Sequence, residues 1–171
     1  ETMDWARLLN RKAGKNVLLS FYDPETKTRW DETTKPITQA EEQNLMYQRW
    51  VKNNRKKVDE MSGGKIGYVH IQGMNDGSYR TVYEDVLGKA VGKEALIVDT
   101  RFNGGGWLHD DLVTFLSGKN YLNFSPQGAI PTSGEPRNKW VGPSTVLMSE
   151  SNYSDAFLFP YAYHSLAIGK L

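Results

Sequence analysis

Residues 94–107 read EALIVDTRFNGGGW. The apolar run Ala95-Leu-Ile-Val98, closed by Asp99, is the composition of a buried strand. Three consecutive glycines, Gly104 to Gly106, follow it and lead into Trp107 to Leu116, which reads as a helix. A buried strand that turns through glycine into a helix is a piece of a βαβ unit, and the flanking sequence repeats it. Lys65 to Ile71 reads as a strand and Ser78 to Val91 as a helix. Ser144 to Met148 is a further strand, followed by a helix over Ala156 to Leu166. Strands alternating with helices predict an α/β fold with a mainly parallel sheet. Pro160 sits uneasily in the last helix and predicts a kink or a later start.

Further out the pattern loosens. Residues 117–143 are rich in Gly, Pro, Asn and Ser and predict an irregular excursion or hairpin over the rim of the sheet. Thr38 to Met61 carries apolar residues on a helical stripe and stops at Ser62-Gly63-Gly64. Ahead of it, Trp5, Leu8 and Leu9 recur at helical spacing, Gly14 is a stop, and Val17 to Tyr22 is a β-rich run ended by Asp23-Pro24. Residues 25–38 are polar and read as a linker or extended loop.

Composition narrows the chemistry. The chain has 171 residues, a net charge of +1 and no cysteine, so thiol catalysis, disulfides and thiolate metal sites are excluded. Charge this balanced gives no nucleic-acid footprint, and Arg55-Lys56-Lys57 reads as a solvated helix face. His70, His109 and His164 form no metal-ligand spacing, which argues for chemistry without a metal or other cofactor. No apolar run reaches the roughly 18 to 20 residues of a membrane span, and the compartment is unreadable.

Two strand-to-helix junctions are candidates for a site, because open α/β sheets place ligands at the carboxyl ends of their strands. The first is Asp99 to Trp107, whose glycines could turn backbone N–H groups toward an anion. A nucleotide phosphate fits poorly: no Lys-Ser/Thr follows, and His109 stands in the third glycine position of GxGxxG. A developing oxyanion remains, and it requires a nucleophile. The second junction, Val146 to Ala156, offers Ser154. From spacing alone Ser154 is either a nucleophile at a sharp turn or an ordinary N-cap of the helix that follows. His164, ten residues on and about 15 Å away along a helix, cannot serve it as base. His109 is the one conceivable local base, and His70 reads as a structural or rim histidine.

Taken together, Lys65-Ile-Gly-Tyr-Val-His-Ile71, Ile97 to Gly106, Val146-Leu-Met-Ser-Glu150 and Asn152-Tyr-Ser-Asp-Ala156 resemble the tricorn-type branch of the S41 serine peptidases, relatives of the carboxyl-terminal processing proteases. The resemblance covers roughly residues 40–171 and implies a crotonase-like or ClpP-like catalytic domain. It implies Ser154 as catalytic nucleophile, with oxyanion N–H groups from Asp155 and from Gly105 or Gly106, and a place in substrate binding for Asp155 and Asn103. The aspartate after the serine favours the tricorn branch. Ser149 stands where asparagine is common, and Phe157 where an acid is common. Asn152-Tyr-Ser154 also matches a glycosylation sequon by pattern.

The resemblance further implies that residues 1–24 are the last helix and strand of a PDZ domain, 25–38 a linker, and 39–171 a peptidase domain truncated at its C-terminus. The base histidine and acidic partner then lie outside the chain, and the expectation is an inactive fragment of an active peptidase. The implied substrate is a peptide or unfolded protein, and the relatives' self-assembly implies a homo-oligomer. Two other readings keep different chemistry: a crotonase-like acyl-CoA enzyme, and a non-catalytic peptide-binding module working by strand addition.

Overall fold

The computed structural model describes residues 5–130 and 133–171 and divides into two compact units, residues 1–50 and 51–171.

In the first unit a short helix α1 (Trp5–Leu9) precedes an antiparallel hairpin of β1 (Val17–Tyr22) and β2 (Arg29–Thr34). The hairpin corrects the reading of 25–38 as a linker or extended loop. Asp23 folds the turn by accepting the N–H of Glu25 at 2.8 Å and the Thr26 hydroxyl at 2.7 Å. Trp30 then stacks on Phe21 with ring centroids 5.3 Å apart, so one aromatic pair and β-branched threonines hold a strand that its polarity disguises.

Helix α2 (Gln39–Met61) begins with a reciprocal cap. Glu41 N–H donates to Thr38 Oγ1 at 3.2 Å and Thr38 N–H donates to Glu41 Oε2 at 2.7 Å. It ends where Gly64 N–H returns to the Asp59 carbonyl, with Gly63 and Gly64 at φ of 62° and 80°.

The second unit is built on a parallel sheet in the order β3 (Ile66–His70), β4 (Ala95–Asp99), β7 (Ser144–Leu147), as the alternating pattern predicts. Val69, Ile71, Leu96, Val98 and Val146 are buried in its core together with Val82, Leu112, Phe115, Phe159 and Tyr163 from the helices. Between the strands run α3 (Asp76–Glu84), α4 (His109–Leu116) and the hairpin of β5 (Leu122–Phe124) and β6 (Ser133–Glu135), which is the excursion expected over 117–143.

Two helices differ from expectation. The segment read as one helix over Ser78–Val91 starts earlier, where Asn75 Oδ1 caps the Ser78 N–H at 3.0 Å, and widens into a π-helical turn over Asp85–Lys89. The last helix, α5 (Asp155–Ser165), neither starts late nor breaks at Pro160. Proline removes the donor that the Ala156 carbonyl would receive, and the Asn152 side-chain amide supplies a replacement at 3.2 Å.

Candidate active site

Both junctions lie at the carboxyl ends of parallel strands, and backbone and side-chain bonds lace them together. At the end of β4, Asp99 is fully buried. It accepts the Tyr68 hydroxyl at 2.7 Å and Arg101 Nη2 at 2.6 Å. Burial pushes the Asp99 carboxyl up, but the Arg101 and Tyr68 bonds outweigh it and hold its pKa below the usual range. Its own burial, reinforced by the same pairing with Asp99, raises the Tyr68 hydroxyl far above an ordinary tyrosine. His70 bonds through Nε2 to the Arg101 carbonyl at 3.0 Å and its pKa is lowered chiefly by burial, consistent with a structural histidine.

Beyond Arg101 the chain is pinned from below. Asn103 is fully buried, donates its amide to the Ile71 carbonyl at 2.9 Å and accepts the Gly105 N–H at 2.9 Å. Gly105 and Gly106 hold φ of 97° and 142° and bracket Met74: Met74 N–H donates to Gly105 O at 3.0 Å and Trp107 N–H to Met74 O at 2.7 Å. A side chain at Gly106 would fall on the Met74 carbonyl, so only glycine fits.

The second junction arrives directly above the first. Asn152 organises it: its Oδ1 accepts the Ser149 N–H at 3.1 Å and its Nδ2 reaches Thr100 Oγ1 at 2.9 Å. Both donor hydrogens of that amide are therefore used, which sets the Asn152 sequon against modification in the folded chain. Tyr153 N–H donates to the Asn103 carbonyl at 3.2 Å. The next residue, Ser154, has φ 53° and ψ −124°, a conformation that costs a non-glycine residue about 1–3 kcal/mol.

That strain answers the cap question in part. Ser154 holds the N-cap position of α5 through its carbonyl, which accepts the Phe157 N–H at 2.9 Å, but its hydroxyl makes no cap hydrogen bond. The side chain is exposed. The glycine run comes close enough that a Cβ on Gly105 would lie 2.8 Å from the Ser154 Cβ and 3.2 Å from the Asp155 nitrogen. Gly105 is thus brought against Ser154 and Asp155, while Gly106, the next residue, packs on Met74. Among the described residues the N–H groups of Gly106 and Asp155 meet no acceptor, whereas that of Gly105 is spent on Asn103.

Asp155 holds a feature no local pattern announces. Its buried carboxylate accepts Leu108 N–H at 2.5 Å and His109 N–H at 3.0 Å through Oδ2, capping α4 from another element, and meets His109 Nδ1 at 2.5 Å through Oδ1. His109 therefore faces Asp155, with Trp107 edge-on at 5.6 Å, and makes no hydrogen bond to Ser154 Oγ. The side chains of Asp155 and Asn103, expected at substrate, are both engaged with the scaffold. His164 is exposed on α5. Among the described residues no cluster of three or more His, Cys, Asp or Glu could hold a metal ion, and no helix is long and apolar enough to cross a membrane.

The site is thus an exposed serine on a strained turn between strand and helix, close against the glycine run. Residues 65–171 match the model of peptidase family S41, and the chain belongs to that family. Within it the chain is similar to tricorn proteases. It is 34% identical over 132 residues to tricorn protease homolog 1 of Streptomyces coelicolor, covering 77% of this chain and 12% of that protein. It is 32% identical over 127 residues to the tricorn protease of Thermoplasma volcanium, covering 74% of this chain and 12% of that one. Against the crystal structure of the tricorn protease the TM-score is 0.80 at 28% identity, over 95% of this chain and 15% of the other. The chain thus spans about an eighth of the length of these relatives.

Proposed function

We propose that this chain carries the nucleophile and oxyanion hole of a serine endopeptidase acting on peptides or unfolded proteins. The observation that supports this most is Ser154 itself: exposed, held at φ 53°, and with its hydroxyl committed to no cap. Strain of this kind is kept where it aims a reacting atom.

Ser154 Oγ forms a bond to the scissile carbonyl carbon, and the carbonyl electron pair moves onto oxygen. The N–H groups of Gly106 and Asp155 receive that oxyanion, the former in preference to Gly105, whose N–H is already given to Asn103. The serine proton passes to a base and on to the leaving amine as the peptide C–N bond breaks. Water then releases the acyl group by the reverse sequence. No described imidazole hydrogen-bonds to Ser154 Oγ, so in this reading the base histidine comes from outside these residues and the isolated chain is inactive. Asp155 and Asn103 act through their main chain and by holding the two junctions together. The β5–β6 excursion is the candidate for shaping substrate choice.

The test is peptide hydrolysis by the intact protein that carries this chain. Ser154→Ala is expected to abolish turnover while a bound peptide is retained. Unchanged turnover in that variant would overturn the serine mechanism.

A further inference from the structure

The basic segment around Arg55 and Lys56 does not belong to the peptidase site. It lines a cavity of about 470 Å³ at the amino-terminal half of β3, the opposite end of the parallel sheet from Ser154. Lys52, Arg55 and Lys56 fall on one face of α2 at helical spacing. Lys89 and Lys93 face them from the π-helical turn and the loop after it, over a floor of Ile66, Gly67 and Tyr68.

Charge in this cavity is not balanced. Five cationic side chains line it against two carboxylates, Asp59 and Asp85, an excess of three positive charges. Asp85 is buried and shared: it pairs with Arg55 through one oxygen and with Lys89 at 2.6 Å through the other. Lys93 reaches Asp59 at 2.5 Å and the Gly64 carbonyl at 2.7 Å. At the mouth Lys56 meets Glu60 at 3.6 Å, with both groups exposed, and Lys52 meets no acceptor among the described residues.

The carboxylates therefore act as clamps. They fix Arg55, Lys89 and Lys93 in place while leaving donors over, since a guanidinium has five N–H groups and an ammonium three. Positioned cations with spare donors in a concave site attract a compact multivalent anion more strongly than chloride. We propose that this cavity is a binding site for a phosphate-bearing small molecule, either free phosphate or pyrophosphate or the phosphate group of an organic ester. This site stands independently of the peptidase reading.

Calorimetric titration of the full chain at fixed ionic strength, with chloride as the balancing anion, tests it. Inorganic phosphate, pyrophosphate and glycerol phosphate are the probes, and the Gly67 amide resonance is followed in parallel. The expected result is saturable one-site binding that perturbs Gly67, with pyrophosphate tighter than phosphate by about tenfold. Glycerol phosphate matching or exceeding phosphate assigns the site to an ester; phosphate alone assigns it to the free ion. Lys52→Glu with Lys56→Glu, both exposed, should weaken binding more than tenfold and leave the ligand-free melting temperature unchanged. Lys52→Ala is the milder variant and should act in the same direction. No saturable binding, binding indifferent to either variant, or binding only of a polymeric polyanion such as heparin overturns the proposal.

Discussion

The Asp155 carboxylate and the His109 ring close on each other at 2.5 Å, and the same carboxylate caps the first N–H groups of α4. The residue after Ser154 is thereby tied to the segment that follows the glycine run. One buried carboxylate thus joins the start of α5 to the start of α4.

Replacing that anion is expected to loosen the site more than the fold. Asp155→Asn presents an amide where three donors converge and should cost about 1–3 kcal/mol in stability. Turnover should fall by about 10²-fold with KM little changed, as for loss of one oxyanion donor. His109→Asn, which keeps a donor at the Nδ1 position, should retain more kcat than His109→Ala. If both His109 variants lose turnover as completely as Ser154→Ala, His109 is the base and the external-histidine reading is wrong.

Ser154 separates activity from stability. Ser154→Ala and Ser154→Gly should both lower kcat/KM by about 10⁴-fold or more in the intact protein. Of the two, Ser154→Gly should melt higher than Ser154→Ala, by the equivalent of about 1 kcal/mol, because glycine accepts φ 53° without strain. Thermal denaturation of the pair decides this.

Neighbouring glycines should respond in opposite ways. A methyl at Gly105 would meet the Tyr153 carbonyl at 2.7 Å and the Ser154 Cβ at 2.8 Å, so Gly105→Ala should displace Ser154 and, on the proposed mechanism, remove activity. Gly104 has open space and a φ outside the left-handed region, so Gly104→Ala should change stability by no more than about 0.5 kcal/mol. Equal effects at both positions would show that the close approach to Ser154 is unimportant.

Acid should destabilise the second unit through Asp99 and His70. Asp99 has a folded pKa below its ordinary value, so its stabilisation is present above the unfolded pKa of about 3.8 and is lost as pH falls through the folded value. His70 is held neutral by burial, its pKa below 6.5. The fold therefore loses stability as pH falls below that value and the unfolded chain takes up the proton. Denaturant titrations across this range should show stability rising with pH, and Asp99→Asn should flatten the lower part of the curve.

Much of the architecture was legible from local pattern. Ala95–Val98 is apolar because a central parallel strand, paired on both edges, has one face buried and the other half-buried. The Thr38/Glu41 cap and the Gly63-Gly64 stop mark the ends of α2 by short-range hydrogen bonds that adjacent residues spell out. The hairpin partner β2 was hidden because exposed Arg, Asp and Glu gave Arg29–Thr34 no alternation to read. The unbroken run of α5 through Pro160 was hidden because the compensating donor, Asn152, precedes the helix.

By itself the sequence determined the alternation of sheet strands and helices from Lys65 onward and which serine and which glycines stand at the two junctions. Those facts follow from side-chain periodicity and backbone freedom, properties of neighbouring residues. The tertiary structure alone decided that Ser154 is strained and uncapped, that the Gly105 N–H is spent while that of Gly106 is open, and that Asp155 turns to His109 and α4. The Gly105 bond is short-range but its acceptor, Asn103, is oriented by the Ile71 carbonyl 32 residues away, and the contacts of Asp155 and Asn152 span more than 40 residues, so local propensity carries no record of them.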